Sequence, residues 1–111
     1  MNAPRWPLVT VKKVAAREGG LLFSRARDIA AFSDRATAMV VLRSAIARLT
    51  IRDFSETSFK PSEVADIYGV TMEGKSYYLK LTLREEADLV VVISFHRPEH
   101  PMRTNRGMVK P

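Results

Sequence analysis

Cysteine is absent from this 111-residue chain, which rules out disulfide staples, thiolate metal sites and a cysteine nucleophile. No apolar run approaches the roughly 20 residues of a membrane-spanning helix. The opening Met1-Asn2-Ala3-Pro4-Arg5-Trp6-Pro7 lacks the apolar stretch of a secretory signal. The expected location is therefore the cytoplasm, with no membrane partner. Glycine is sparse, and Gly69 and Gly74 form no phosphate-cradling loop. The flanking glycines of a serine-nucleophile turn are missing too. Acid is the scarcer charge: twelve acidic residues stand against eighteen basic ones, leaving a net +6. So basic a small protein suits a polyanionic partner, nucleic acid or an acidic protein surface. A merely soluble surface is the plainer reading of the same charge.

With 46% hydrophobic residues and no low-complexity tract, the chain is long enough for one folded domain with one core. Leu8, Val11, Val14 and Ala15 recur at helical spacing, and Gly19-Gly20 ends that helix. Leu21-Leu22-Phe23 reads as a short connector or edge strand. Ser24 offers a cap for a helix reaching about Phe32. Ser33-Asp34 caps a longer one, in which Ala38, Val41, Leu42, Ala45, Ile46 and Leu49 make a wide apolar stripe. Thr50 to Ser62 reads as a connector. Three strands follow, about Glu63–Met72, Ser76–Leu83 and Leu89–His96, joined by turns at Glu73-Gly74 and Arg84–Asp88. Close turns make them an antiparallel meander whose second strand is central. The predicted fold is α+β, with N-terminal helices packed on an antiparallel sheet. Residues 1–96 form the domain, and 97–111, with three prolines and no periodicity, form a basic tail, partly ordered at best.

Side chains alternate between the faces of a strand. Tyr77, Leu79, Leu81 and Leu83 then oppose Ser76, Tyr78, Lys80 and Thr82. In the third strand Val91, Ile93 and Phe95 oppose Ser94 and His96; in the first, Ala65 and Ile67 oppose Asp66 and Tyr68. A tyrosine, a lysine and a histidine can so meet on one solvated face. Cutting RNA without a metal needs a proton acceptor for the 2′-hydroxyl, an acid for the leaving 5′-oxygen and cations for the phosphorane. Tyr78, Lys80 and His96 supply such groups, with histidine the natural proton carrier near neutrality. Arg84, Arg97 or Arg103 can neutralise phosphate, and Tyr68 can stack a base. The duller readings are a sheet covered by tyrosine, a solvated lysine and a hydrogen-bonded surface histidine. His96-Arg97-Pro98-Glu99-His100 matches the H-x-x-E-H string of inverted zinc peptidases. Pro98 and Pro101 oppose the helix that such a site requires, so neither metal nor cofactor is expected.

Several short motifs occur in the order of a known family. Val11-Lys12-Lys13-Val14 with Gly20, Leu49 to Asp53-Phe54, Asp66-Ile67-Tyr68, Gly74 with Tyr78-Leu79-Lys80-Leu81, and Val92-Ile93-Ser94-Phe95 together resemble the MqsR family of bacterial type II toxins. That resemblance spans about Leu8 to Phe95. It implies a RelE-like fold, a messenger-RNA endoribonuclease activity and a cognate antitoxin. It places the family's catalytic tyrosine on Tyr78 and its terminal catalytic lysine on His96. A family lysine falls on Glu56 and a glutamine on Ala65, and Lys60 stands ready as a replacement cation. The resulting expectation is a metal-independent nuclease with His96, Tyr78 and Lys80 catalytic and with Lys60, Tyr68, Arg97 and Arg103 binding RNA. Its competitor is a non-catalytic RNA-binding or protein-interaction module on the same fold. A zinc hydrolase built on His96, Glu99 and His100 is the third reading.

Overall fold

A computed structural model describes residues 2–61 and 63–111. Helix α1, Leu8–Ala16, starts at Pro7, whose carbonyl accepts from the Thr10 and Val11 amides at 3.0 and 3.1 Å. It buries Val11, Val14 and Ala15. Gly20 follows where any Cβ would collide with the carbonyl of Val14, so the chain can leave α1 this closely only through glycine. Strand β1, Leu21–Phe23, and the four-residue helix α2, Ala26–Ile29, come next. Ser24 does not cap α2: the capping position is Arg25, without a side-chain bond. The structure thus shortens the helix expected to run to Phe32. Helix α3, Arg35–Arg48, is capped by Asp34, whose carboxylate accepts from the Thr37 amide at 2.7 Å. That bond holds its carboxyl below the usual carboxylate range.

Residues Phe54–Lys60 form strand β2 rather than a connector, entered through a tight turn at Ile51–Asp53 that Thr50 and Asp53 cap reciprocally. Ser62, the last residue of the expected connector, lies outside the described residues, as does Met1. Strands β3, Glu63–Met72, β4, Lys75–Arg84, and β5, Leu89–His96, make the expected meander. Glu73 and Gly74 both take positive φ, 50° and 78°, as a two-residue hairpin turn demands. The sheet order is β1-β5-β4-β3-β2, with β4 central and only β1 parallel to its neighbour. Leu42, Ala45 and Ile46 of α3 and Val11 and Val14 of α1 pack on Leu79, Leu81, Val90, Val92 and Phe95 of the sheet. Burial on that scale is the main stabilising contribution, about 1.5–3 kcal/mol for each large side chain. This is the α+β architecture expected of a RelE-like fold.

The expected loose tail is corrected outright. Strands β6, Met102–Thr104, and β7, Gly107–Val109, form an antiparallel hairpin that folds back over the sheet face opposite the helices. Met102 and Val109 pack there with Ile67 and Tyr78. Polar ties complete the docking. Arg106 Nη2 donates to Asp53 at 3.0 Å, the Asn105 amide donates to the Phe54 carbonyl, and Ser55 Oγ donates to the Arg103 carbonyl at 2.6 Å. Each three-residue strand is too short to hold alone, so these tertiary contacts create the hairpin.

Candidate active site

The site depends on one extra residue. From Arg84↔Leu89 to Leu81↔Val92 the strands β4 and β5 pair residue for residue. The register then shifts, so that Lys80 faces Ser94 and Tyr78 faces His96, with Ile93 left over. A β-bulge inserts one residue and so reverses which face later residues occupy. Without it Tyr78 would lie opposite Phe95, and His96 would turn toward the helices. With it, Val90, Val92 and Phe95 all reach the core while Ser94 and His96 join Tyr78 and Lys80. The expected grouping of Val91 and Ile93 with Phe95 is therefore corrected, yet the expected meeting of Tyr78, Lys80 and His96 stands.

These residues floor an open cavity of about 980 Å³ between the sheet and the C-terminal hairpin. The Tyr78 and His96 rings stack, 5.0 Å between centroids and 10° from parallel. His96 Nδ1 lies 2.7 Å from the carbonyl of Arg97. A carbonyl only accepts, so Nδ1 carries the hydrogen and Nε2 is left as the acceptor nitrogen of the neutral ring. Burial first, then the charges of Glu56 and Glu99, push the Tyr78 phenol up, against an opposing pull from Arg25. Tyr78 is accordingly a hydrogen-bond donor at neutral pH and no base. Five cations line the cavity (Arg25, Arg27, Lys60, Lys80 and Arg103) against the carboxylates of Glu56 and Glu99. Such an excess attracts an anion into the cleft.

Two of those arginines arrive through a buried carboxylate. Asp28, 2% exposed, accepts the Phe95 amide at 2.9 Å on the part of β5 that β1 no longer covers. Its other oxygen stands 4.0 Å from Arg25 Nε and 3.9 Å from Arg27 Nε. Arg25 then donates to Ser94 Oγ at 2.6 Å, beside the Tyr78–His96 stack. Sequence reasoning passed over Arg25 and Arg27 because it gave Ser24 the capping role. It also met Glu56 only as a lost lysine, although Glu56 lines the cavity.

The seven candidates divide unevenly. His96, Tyr78, Lys80, Lys60 and Arg103 all line the cavity. Arg97 follows β5 with an exposed side chain outside the lining, contributing its carbonyl to His96. Tyr68 is fully buried on the helix side, edge-on to Phe54 with centroids 5.6 Å apart. A ring with no free face stacks no base, so that expectation is corrected. Its neighbour Asp66 had suggested a polar face, but Asp66 is itself buried, accepting from the Arg5 and Trp6 amides and from Thr57 Oγ1. Glu99 and His100 sit in the loop after β5, not on a helix with His96. The one-turn spacing of an H-x-x-E-H zinc site is therefore not formed.

Among known proteins, residues 3–97 match the family described as the motility quorum-sensing regulator, toxin of MqsA. No curated protein matches the chain. The matched stretch ends before the hairpin that walls the cavity.

Proposed function

We propose that this chain, which belongs to the MqsR family of toxins, is the toxin of a type II toxin–antitoxin pair and arrests growth by cutting messenger RNA in the cytoplasm without a metal. The observation that carries the proposal is the Tyr78–His96 stack beside Lys80 in a cation-lined cleft. In this reading the 2′-hydroxyl attacks its own phosphate, leaving a 2′,3′-cyclic phosphate and a 5′-hydroxyl. His96 exchanges the proton through Nε2, its ring held by the Arg97 carbonyl. The protonated Tyr78 phenol positions a non-bridging oxygen, and Lys80 with Arg25 offsets the charge that grows on the phosphorane. Lys60 and Arg103 hold neighbouring phosphates along the strand. The partner is a cognate antitoxin, and a chain of net +6 suits one with an acidic contact surface.

Induced expression of wild type and His96→Ala in a heterologous bacterium, with growth curves and primer-extension mapping, tests this. Wild type produces arrest and discrete new 5′ ends, and the variant loses both. Folded wild type that binds RNA in a salt-sensitive way but leaves transcripts intact would replace the nuclease with the binding module. Equal cutting by both proteins would remove His96 from the chemistry.

A further inference from the structure

An in-line displacement at phosphorus puts the attacking and leaving oxygens on opposite sides of the phosphate. Acid and base must therefore reach it from opposite sides. His96 stands on β5, at one side of Tyr78. On the other side the same face presents Glu56, whose partner across β2 and β3 is Ile67, itself paired with Lys80. Glu56 lines the cavity, and among the charges acting on the Tyr78 phenol it has the largest effect. Strands β2 and β5 are separated by β3 and β4, so their backbones lie about 14 Å apart. Glu56 and His96 therefore line one cavity from opposite sides of Tyr78.

We infer that Glu56 is the general base of this site, taking the proton of the 2′-hydroxyl while His96 acts as the acid. The inference rests on the RNA-cleaving reading and deepens it. Glu56 accepts the O2′ proton as the O2′–P bond forms. The P–O5′ bond breaks, and the imidazolium Nε2–H of His96 passes its proton to O5′. Glu56 ends protonated and His96 neutral, and solvent resets both. Glu99, the other carboxylate of the cavity, follows β5 in the chain and so lies on the side of His96, the wrong side for this role.

The cations around Glu56 are Lys60 on its own strand, Lys80 on β4, Arg25 and Arg27 at α2, and Arg103 on the hairpin. The other titrating groups of the cavity are Tyr78, His96, His100 and Glu99. Of these, only His96 takes part in proton transfer.

The test is the pH dependence of kcat/KM on a short single-stranded RNA for wild type, Glu56→Gln and Glu56→Asp. Binding is measured separately with the same RNA carrying a 2′-deoxy sugar at the cut. Wild type gives a bell. Glu56→Gln loses roughly 10²–10⁴-fold in rate, the usual contribution of a general base, and loses the acid limb. Its affinity for the deoxy analogue is unchanged or higher, because a negative charge has left the cleft. Glu56→Asp restores part of the rate with the acid limb present. Wild-type cutting with an undiminished Glu56→Gln, or a slowed variant that keeps the acid limb, overturns the assignment and leaves the nuclease intact. A wild type that binds RNA and never cuts overturns both.

Discussion

Tyr68→Phe isolates one oxygen atom. The Tyr68 ring is fully buried, and among the described residues its hydroxyl is the one buried side-chain polar atom without a hydrogen-bond partner. Leaving a buried hydroxyl unpaired costs about 1–3 kcal/mol, whereas removing it leaves a gap smaller than a methyl group. Phenylalanine keeps the edge-on contact with Phe54. The expected outcome is a gain of about 1 kcal/mol, read as a rise of about 4 °C in Tm for a domain of this size. Urea unfolding at pH 7 checks it, with m unchanged. There is an alkaline corollary. Burial, and then the nearby Asp66 and Asp53, push the Tyr68 phenol far up, whereas in the unfolded chain it ionises near pH 10, about the ordinary value. A raised folded pKa contributes stability that is complete below about pH 10 and declines above it. Wild type therefore weakens there, and the variant's advantage grows. If the chain cuts RNA as proposed, affinity for RNA stays the same, since the buried ring opens no face to the cleft. A loss of more than about 1 kcal/mol, or weakened RNA binding, would refute the reasoning by revealing a partner for that hydroxyl.

The parts of this fold that could be read from the sequence are those where local pattern and tertiary role agree. Strands β3 to β5 are apolar, β-prone runs joined by recognisable turns, and the stripe on α3 lies where its spacing puts it. Strand β2 escaped because Phe54-Ser55-Glu56-Thr57-Ser58-Phe59-Lys60 is mostly polar. It can be, since it is an edge strand with one polar side chain turned to a buried carboxylate and others to the cleft. The hairpin escaped for a different reason. Its strands gain nothing locally, and its partners Asp53, Phe54, Ser55 and Ile67 lie 35 to 53 residues away. The turn residues Asn105-Arg106-Gly107, flanked by Met102 and Val109, were the available signal. Within the site, Tyr78, Lys80 and His96 were legible by residue type. Their company rests on the Ile93 bulge, which no residue preference in Leu89–His96 announces. Tyr68 was misplaced because Asp66 made its face read as polar. The backbone amides that satisfy Asp66 come from Arg5 and Trp6, some sixty residues earlier.

Asp28 joins the core to the cleft, so Asp28→Ala should lower stability by about 2–3 kcal/mol, the cost of losing a buried charge-assisted hydrogen bond. The same change frees Arg25 and Arg27 and so weakens binding of a 2′-deoxy RNA analogue; a melt within about 0.5 kcal/mol of wild type would show that the Phe95 amide is satisfied elsewhere. Gly69→Val addresses the hairpin. A Cβ at Gly69 would stand 3.1 Å from Thr104 Cγ2, 3.3 Å from Val109 Cγ2 and 3.4 Å from Met102 Sδ, and two further methyls have nowhere to go while the hairpin is seated. Overpacking costs about 1–3 kcal/mol, and the hairpin yields before the sheet because its own strands span three residues each. Hydrogen exchange should therefore rise at 102–109 while β4 and the core keep their protection. Undocking also carries Arg103 away and uncovers Ile67 and Tyr78, so RNA affinity falls while the Tyr78–His96 pair, held by the β4–β5 register, remains. Unchanged protection of 102–109 would mean that the hairpin does not depend on contact at Gly69, and the cleft would then have a wall independent of its floor.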